Sequence, residues 1–89
     1  MNVDIYTTPI CPYCVRAKAL LTKKGVAFRE IDISHNDTLR EAMTTKSGGR
    51  RSVPQIFIND MSIGGCDELY ALERDGLLDG MLKEIETDA

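Results

Sequence analysis

Two short alternating segments flank one amphipathic helical run in the first third of this chain, and no other feature limits its fold as tightly. Val3 to Thr7 (VDIYT) alternates apolar and polar residues and carries β-branched and aromatic types, the pattern of a strand. From Pro12 onward, Ala17, Leu20 and Leu21 form an apolar stripe beside Arg16, Lys18, Lys23 and Lys24, with Gly25 able to close the helix. Val26 to Ile33 (VAFREIDI) alternates again. Strand, helix, strand in so short a span favours a parallel pair joined by a right-handed crossover, which layers a helix onto a sheet.

The remainder extends that plan. HNDTLREAMTTKSGG reads as a second helix, with Asn36, Asp37 or Thr38 as capping candidates and Gly48-Gly49 ending it. PQIFIN (Pro54 to Asn59) and MSIG (Met61 to Gly64) read as a hairpin about an Asn59-Asp60 turn. After Gly64-Gly65, the spacing of Leu69, Leu72, Leu77, Leu78, Met81, Leu82 and Ile85 predicts one or two amphipathic helices, broken at Gly76. The order βαβαββα predicts an α/β fold, a small four-stranded mixed sheet flanked by helices. At 89 residues the chain suffices for one core and is too short for two, so residues 1–89 are expected to form a single domain.

A formal net charge of -3 leaves no broad basic surface, which argues against nucleic acid as a partner. The apolar stretches are too short to cross a bilayer, and Asn2, Val3 and Asp4 after Met1 do not read as a targeting leader, so a cytoplasmic, water-soluble protein is expected. An odd cysteine count, three, does not suit a secreted disulfide framework. In a reducing compartment a close pair is more often catalytic or metal-binding.

That pair is Cys11 and Cys14, in ICPYCVRAKALL. As a structural disulfide it would close a tiny loop, the least stabilising kind. As a zinc site it needs about four ligands, and beyond the pair the only other candidates of the usual Cys or His kind are Cys66 and the lone His35, so no metal is expected. A redox pair accounts for more. Pro12 suits the first helical turn, which sets Cys11 at the helix N-terminus. Thiols at helix starts or in Cys-x-x-Cys motifs are the ones proteins activate as nucleophiles. Cys14, one turn deeper, is placed to attack a mixed disulfide on Cys11.

Three separated stretches now agree. CPYC after a strand, SVPQIFI (Ser52 to Ile58) and IGGCDEL (Ile63 to Leu69) closely resemble the glutaredoxin family, its small dithiol members with a thioredoxin-like fold. The resemblance runs nearly end to end. It implies glutathione-dependent reduction of protein disulfides and glutathione mixed disulfides, with no tightly bound cofactor, glutathione as co-substrate, and glutathione reductase and NADPH behind it. Cys11 would be the nucleophile and Cys14 the resolving thiol. Val53 would precede a cis-proline, Pro54, and offer its backbone to the cysteine of glutathione. Gly65, Cys66 and Asp67 would bring a helix start to the γ-glutamyl carboxylate, with Asp67 facing the γ-glutamyl ammonium. Tyr13 would flank the tripeptide. Ser52 keeps the hydroxyl of the family's threonine, and Lys46, Arg50 and Arg51 are candidates for the glycine-end carboxylate. Each also has a plainer reading: Asp67 as a helix cap, Tyr13 as packing, Cys66 as a small buried hydrophobe, the basic residues as solvated charge. Gln55 has no role derivable from the pattern.

The chain also departs from the family. Thr8 stands where many members carry a lysine, Glu68 replaces a frequent second aspartate, and SGGRR is longer by a residue than the common pattern. An arginine of that loop is expected to stand in for the lysine. One rival is a thioredoxin-like reductase recycled by a flavoenzyme, against which stand CPYC, the Gly64 to Asp67 stretch and the absence of tryptophan. A second is an iron–sulfur carrier with the cluster held by Cys11 thiolates and glutathione from two chains. The dithiol motif disfavours it, and a monomer is expected.

Overall fold

The computed structural model describes the backbone of residues 3–87 and the side chains of residues 3–82. Eight elements follow in chain order: β1 (Val3–Thr7), α1 (Pro12–Lys23), β2 (Arg29–Asp32), α2 (Asp37–Lys46), β3 (Gln55–Ile58), β4 (Met61–Gly64), α3 (Cys66–Arg74) and α4 (Leu78–Thr87). The strands form one mixed sheet in the order β2-β1-β3-β4. β1 runs parallel to β2, with Ile5 opposite Glu30, and antiparallel to β3, with Ile5 opposite Ile56. The crossover expected of the first third is therefore present, α1 carrying the chain from the central strand to the edge.

β1 has the predicted bounds but not the half-buried character that alternation implies. All five of its residues are buried because it is central and covered on both faces. Its polar members are satisfied by the neighbouring strand: Arg29 donates to both carboxylate oxygens of Asp4 at 3.2 Å, and the Thr7 hydroxyl donates to Glu30 at 2.8 Å. β2 is shorter than the alternation of residues 26–33 predicts. The Val26 N–H is still bonded to the Leu21 carbonyl at 3.2 Å, so the end of α1 occupies residues that the pattern assigns to the strand.

α2 starts at the Asn36 cap, whose Oδ1 accepts the Leu39 N–H at 2.9 Å. The hairpin turns at Asn59 and Asp60, both at positive φ, as a two-residue primed turn requires. Two helices follow, separated at Gly76. Leu77, expected on the apolar stripe, lies between them and is 56% exposed, and the side chain of Ile85 lies outside the described residues.

Two cores sandwich the sheet. One gathers Ile5, Ala17, Leu21, Ile56, Leu69 and Leu78 under α1, α3 and α4, with Phe28 at its margin. The other gathers Tyr6, Ile33, Met43 and Phe57 under α2, and Val53 packs against it. Among the described residues no helix is long and apolar enough to cross a membrane.

Candidate functional site

The site begins at the start of α1. Cys11 is its N-cap, in an extended conformation, with Pro12 in the first turn. The Cys11 sulfur accepts the Cys14 backbone N–H at 3.1 Å, so a thiol performs the capping that an Asp or Ser oxygen usually performs. Free N–H groups at a helix start favour negative charge, and this is a position suited to a nucleophilic sulfur. Cys11 is partly exposed, whereas Cys14, one turn on, is 1% exposed; neither is in a disulfide. Burial, and then the hydrogen bond to Cys11, push the Cys14 thiol up to about 12. At neutral pH Cys14 keeps its proton.

Opposite Cys11 stands the loop between α2 and β3. The Val53–Pro54 peptide is cis, and the Val53 carbonyl accepts from the Cys11 thiol at 3.9 Å. This strap is held from behind. The Ser47 hydroxyl donates to the Arg50 carbonyl at 3.0 Å, Arg40 Nη1 to the Arg51 carbonyl at 2.8 Å, and Gln55 Nε2 to the Ser52 carbonyl at 2.9 Å.

Between this loop and the start of α3 lies an open groove of about 160 Å³. Tyr13 lines it from α1, Arg50, Ser52, Val53 and Pro54 from the loop, and Gly65, Cys66, Asp67 and Glu68 from the start of α3. Gly64 has φ +109, and a Cβ there would lie 2.6 Å from Glu68 Oε1; one on Gly65 would lie 3.2 Å from the Pro54 carbonyl oxygen. Gly65 thus lets the chain pass close to Pro54, while Gly64 leaves room for the Glu68 and Arg50 side chains. Burial raises the Cys66 thiol above its ordinary value.

The structure gathers the sequence candidates Tyr13, Ser52, Val53, Pro54, Gly65, Cys66 and Asp67 in one groove, and Arg50 with them. Arg51 and Lys46 do not line it. The Lys46 ammonium lies over the Phe57 and Tyr6 rings and 4.0 Å from Asp60. Glu68 also reaches the groove. Its Oε1 accepts the Gly65 N–H at 2.6 Å and lies 3.0 Å from Arg50 Nη1, contacts that hold its carboxyl below the usual carboxylate value. The sequence signal for this was available: Glu at the third residue of a helix is the acidic half of a capping box. Among the described residues no group of three or more His, Cys, Asp or Glu side chains is placed to hold a metal.

The glutaredoxin family model matches residues 3–63. Glutaredoxin 3 from Escherichia coli K12 is 58% identical over 82 residues, covering 92% of this chain and 98% of that protein. The solution structure of a glutaredoxin from Brucella melitensis shares 57% of the sequence with a TM-score of 0.81, covering 93% of this chain and 89% of that one. The crystal structure of a buckwheat glutaredoxin–glutathione complex is 33% identical, with a TM-score of 0.85 and coverage of 92% and 76%. Likeness of sequence and of backbone over nearly all of the described residues converges on one assignment: this chain belongs to the glutaredoxin family of thiol–disulfide oxidoreductases, on the thioredoxin-like fold.

Proposed function

We propose that this protein reduces protein disulfides and glutathione mixed disulfides and is itself reduced by glutathione, acting as a monomer in the cytoplasm. The observation that carries the reading is the Cys11 sulfur, capping α1 and 3.9 Å from the Val53 carbonyl beside the groove. A sulfur of glutathione joined to Cys11 would leave its peptide alongside the Val53 backbone. Likeness to a glutaredoxin solved with glutathione supports the choice of thiol.

In the first step the Cys11 thiolate attacks one sulfur of the substrate disulfide. A mixed disulfide forms and the other substrate sulfur leaves as a thiolate. For a protein disulfide, Cys14 gives up its proton to the first departing thiolate and attacks the Cys11 sulfur, releasing the second substrate sulfur as a thiolate, which takes a proton from water, and forming the Cys11–Cys14 disulfide. Two glutathione molecules then supply the two electrons, become oxidised glutathione, and restore both thiols; glutathione reductase and NADPH regenerate them. For a glutathionylated substrate, Cys11 takes the glutathione and a second glutathione removes it, so Cys14 is not needed.

Deprotonation of Cys11 also changes the groove. The thiol proton directed at the Val53 carbonyl is gone, and that oxygen becomes free to accept the N–H of the incoming cysteine. Gly65, Cys66 and Asp67 at the start of α3 would meet the γ-glutamyl end, Tyr13 and Ser52 would border the peptide, and Arg50 would face a carboxylate.

The test follows NADPH consumption with a glutathionylated peptide, comparing recycling by glutathione plus glutathione reductase with recycling by thioredoxin reductase alone. Turnover only with glutathione is expected. Turnover only with thioredoxin reductase would overturn the proposal and give the groove another occupant.

A further inference from the structure

Three successive carbonyls of the loop, those of Arg50, Arg51 and Ser52, each accept a side-chain hydrogen bond, from Ser47, Arg40 and Gln55 respectively. The next carbonyl in line is that of Val53, which faces Cys11. Ser47 and Arg40 act near the protein surface, where water competes for the same bonds. Gln55 is different: it is 0% exposed.

Its surroundings argue for a specific duty. Gln55 lies within β3, where its backbone is in register with Tyr6 of the central strand, so one end of the Ser52 to Gln55 segment is fixed by the sheet. Its side-chain amide returns to the Ser52 carbonyl at 2.9 Å, with the Ser52 hydroxyl oxygen at 3.4 Å, so the other end is fixed by the same residue. The span between them is Val53–Pro54. The amide orientation follows from chemistry, since a flipped group would set Oε1 against a carbonyl that can only accept. Oε1 is buried and, among the described residues, finds no hydrogen-bond partner. An unmet buried acceptor costs stability, and a methionine would fill the same space without that cost. What glutamine supplies and methionine lacks is the pair of N–H donors that close on Ser52.

We infer that Gln55 is a positioning residue for disulfide exchange: its side chain holds the Ser52 carbonyl so that the Val53 backbone is already set beside Cys11 for the thiol-bearing peptide to pair with. The inference rests on the glutathione reading above. Gln55 touches neither thiol nor peptide, and its effect is confined to the affinity of the mixed disulfide for the groove.

The experiment uses a Cys14→Ser background, in which the resolving thiol is gone and the mixed disulfide on Cys11 is retained, with mass spectrometry confirming one adduct per chain, on Cys11. Oxidised glutathione and hydroxyethyl disulfide serve separately as oxidants, each converting the Cys11 thiol to a mixed disulfide and releasing one free thiol. A change in the ratio of the two exchange constants on substitution reports groove contacts, because the sulfur chemistry of each oxidant is the same in every variant. Gln55→Met is expected to lower this ratio about tenfold while leaving the hydroxyethyl exchange constant and the rate of Cys11 alkylation unchanged. Gln55→Asn, which keeps the amide but withdraws it by one methylene, is expected to lower it similarly. An unchanged ratio in either folded variant overturns the inference. A reading without any variant comes from hydrogen exchange of the Gln55 side-chain amide, which should be slow in the unaltered protein; rapid exchange equally overturns it. A ratio near one before any change at Gln55 is a separate result, which would remove the glutathione reading itself.

Discussion

The two sides of the site are built by different means. At the start of α1, Cys11, Pro12 and Cys14 make their arrangement among themselves, the Cys14 N–H reaching back three residues to the Cys11 sulfur. Across from them, Val53 lies 42 positions away in sequence, and its loop is set by Arg40 from α2 and Gln55 from β3. The proposed nucleophile is set by contacts within four residues. The surface proposed to select what meets it is assembled from segments distant in sequence. Reactivity and recognition should therefore be separable by substitution.

The strongest test acts on the local side. Cys11→Ser is expected to remove both protein-disulfide reduction and deglutathionylation, by roughly a thousandfold or more, since the substituted group is the proposed attacking atom. Cys14→Ser should abolish only the first and retain the second. Coupled assays on insulin and on a glutathionylated peptide check this; equal loss of both activities in Cys14→Ser would mean that the two thiols are not divided between attack and resolution.

Cys14 also makes a prediction in pH. Its thiol is raised from an ordinary 9.0 to about 12, with burial as the main cause. A folded-state value above the unfolded one means that the folded protein holds the proton more tightly. The resulting stability is complete below about pH 9 and is lost as pH rises toward 12. Urea midpoints measured from pH 8 to pH 11 should fall, and Cys14→Ala should flatten that fall. A parallel decline in both proteins would put the alkaline sensitivity elsewhere.

On the recognition side, Gly64→Ala is expected to cost about 2 kcal/mol, because φ +109 is a strained conformation for alanine and its Cβ would meet Glu68 and Arg50 at 2.6 and 2.7 Å. A urea titration measures the cost. Val53 should feel less of the change than the start of α3, so the rate of Cys11 alkylation is expected to hold while glutathione affinity falls.

The same division explains what could be read before the fold was known. The thiol pair, the bounds of β1, the hairpin turn and the helix starting at Pro12 all depend on neighbours within a few residues, and the sequence pattern carries them. Alternation predicts a longer β2 than the fold contains, because the end of α1 claims Val26 through a hydrogen bond that alternation does not encode. Gln55 had no derivable role because a polar residue in a strand suggests a solvent-facing side, and its burial follows from β3 lying between β1 and β4 under α2. Lys46 and Arg51 were indistinguishable from Arg50 as charges in a row. Only the path of the loop turns Arg50 toward the groove, and the aromatic faces of Phe57 and Tyr6 attract Lys46 elsewhere.

The smallest predicted effect separates local from distant contacts at a single carboxylate. Glu68 is held below its ordinary value of 4.5 chiefly by the Gly65 N–H and less by Arg50. A lowered folded-state value gives stability that is present above the ordinary value and is lost as pH falls through the folded one. Both side chains of the ion pair are more than a third exposed, so screening keeps the whole contribution to at most about 1 kcal/mol. Glu68→Gln should lower the urea midpoint slightly at pH 7, and that difference should shrink as pH falls below 4.5. Arg50→Ala should do less at pH 7, and the part it does should shrink in high salt, because the bond to Gly65 survives it. A larger loss from Arg50→Ala than from Glu68→Gln would reverse the ranking, and would mean that the loop's grip on α3, not the helix cap, holds the groove closed at that end.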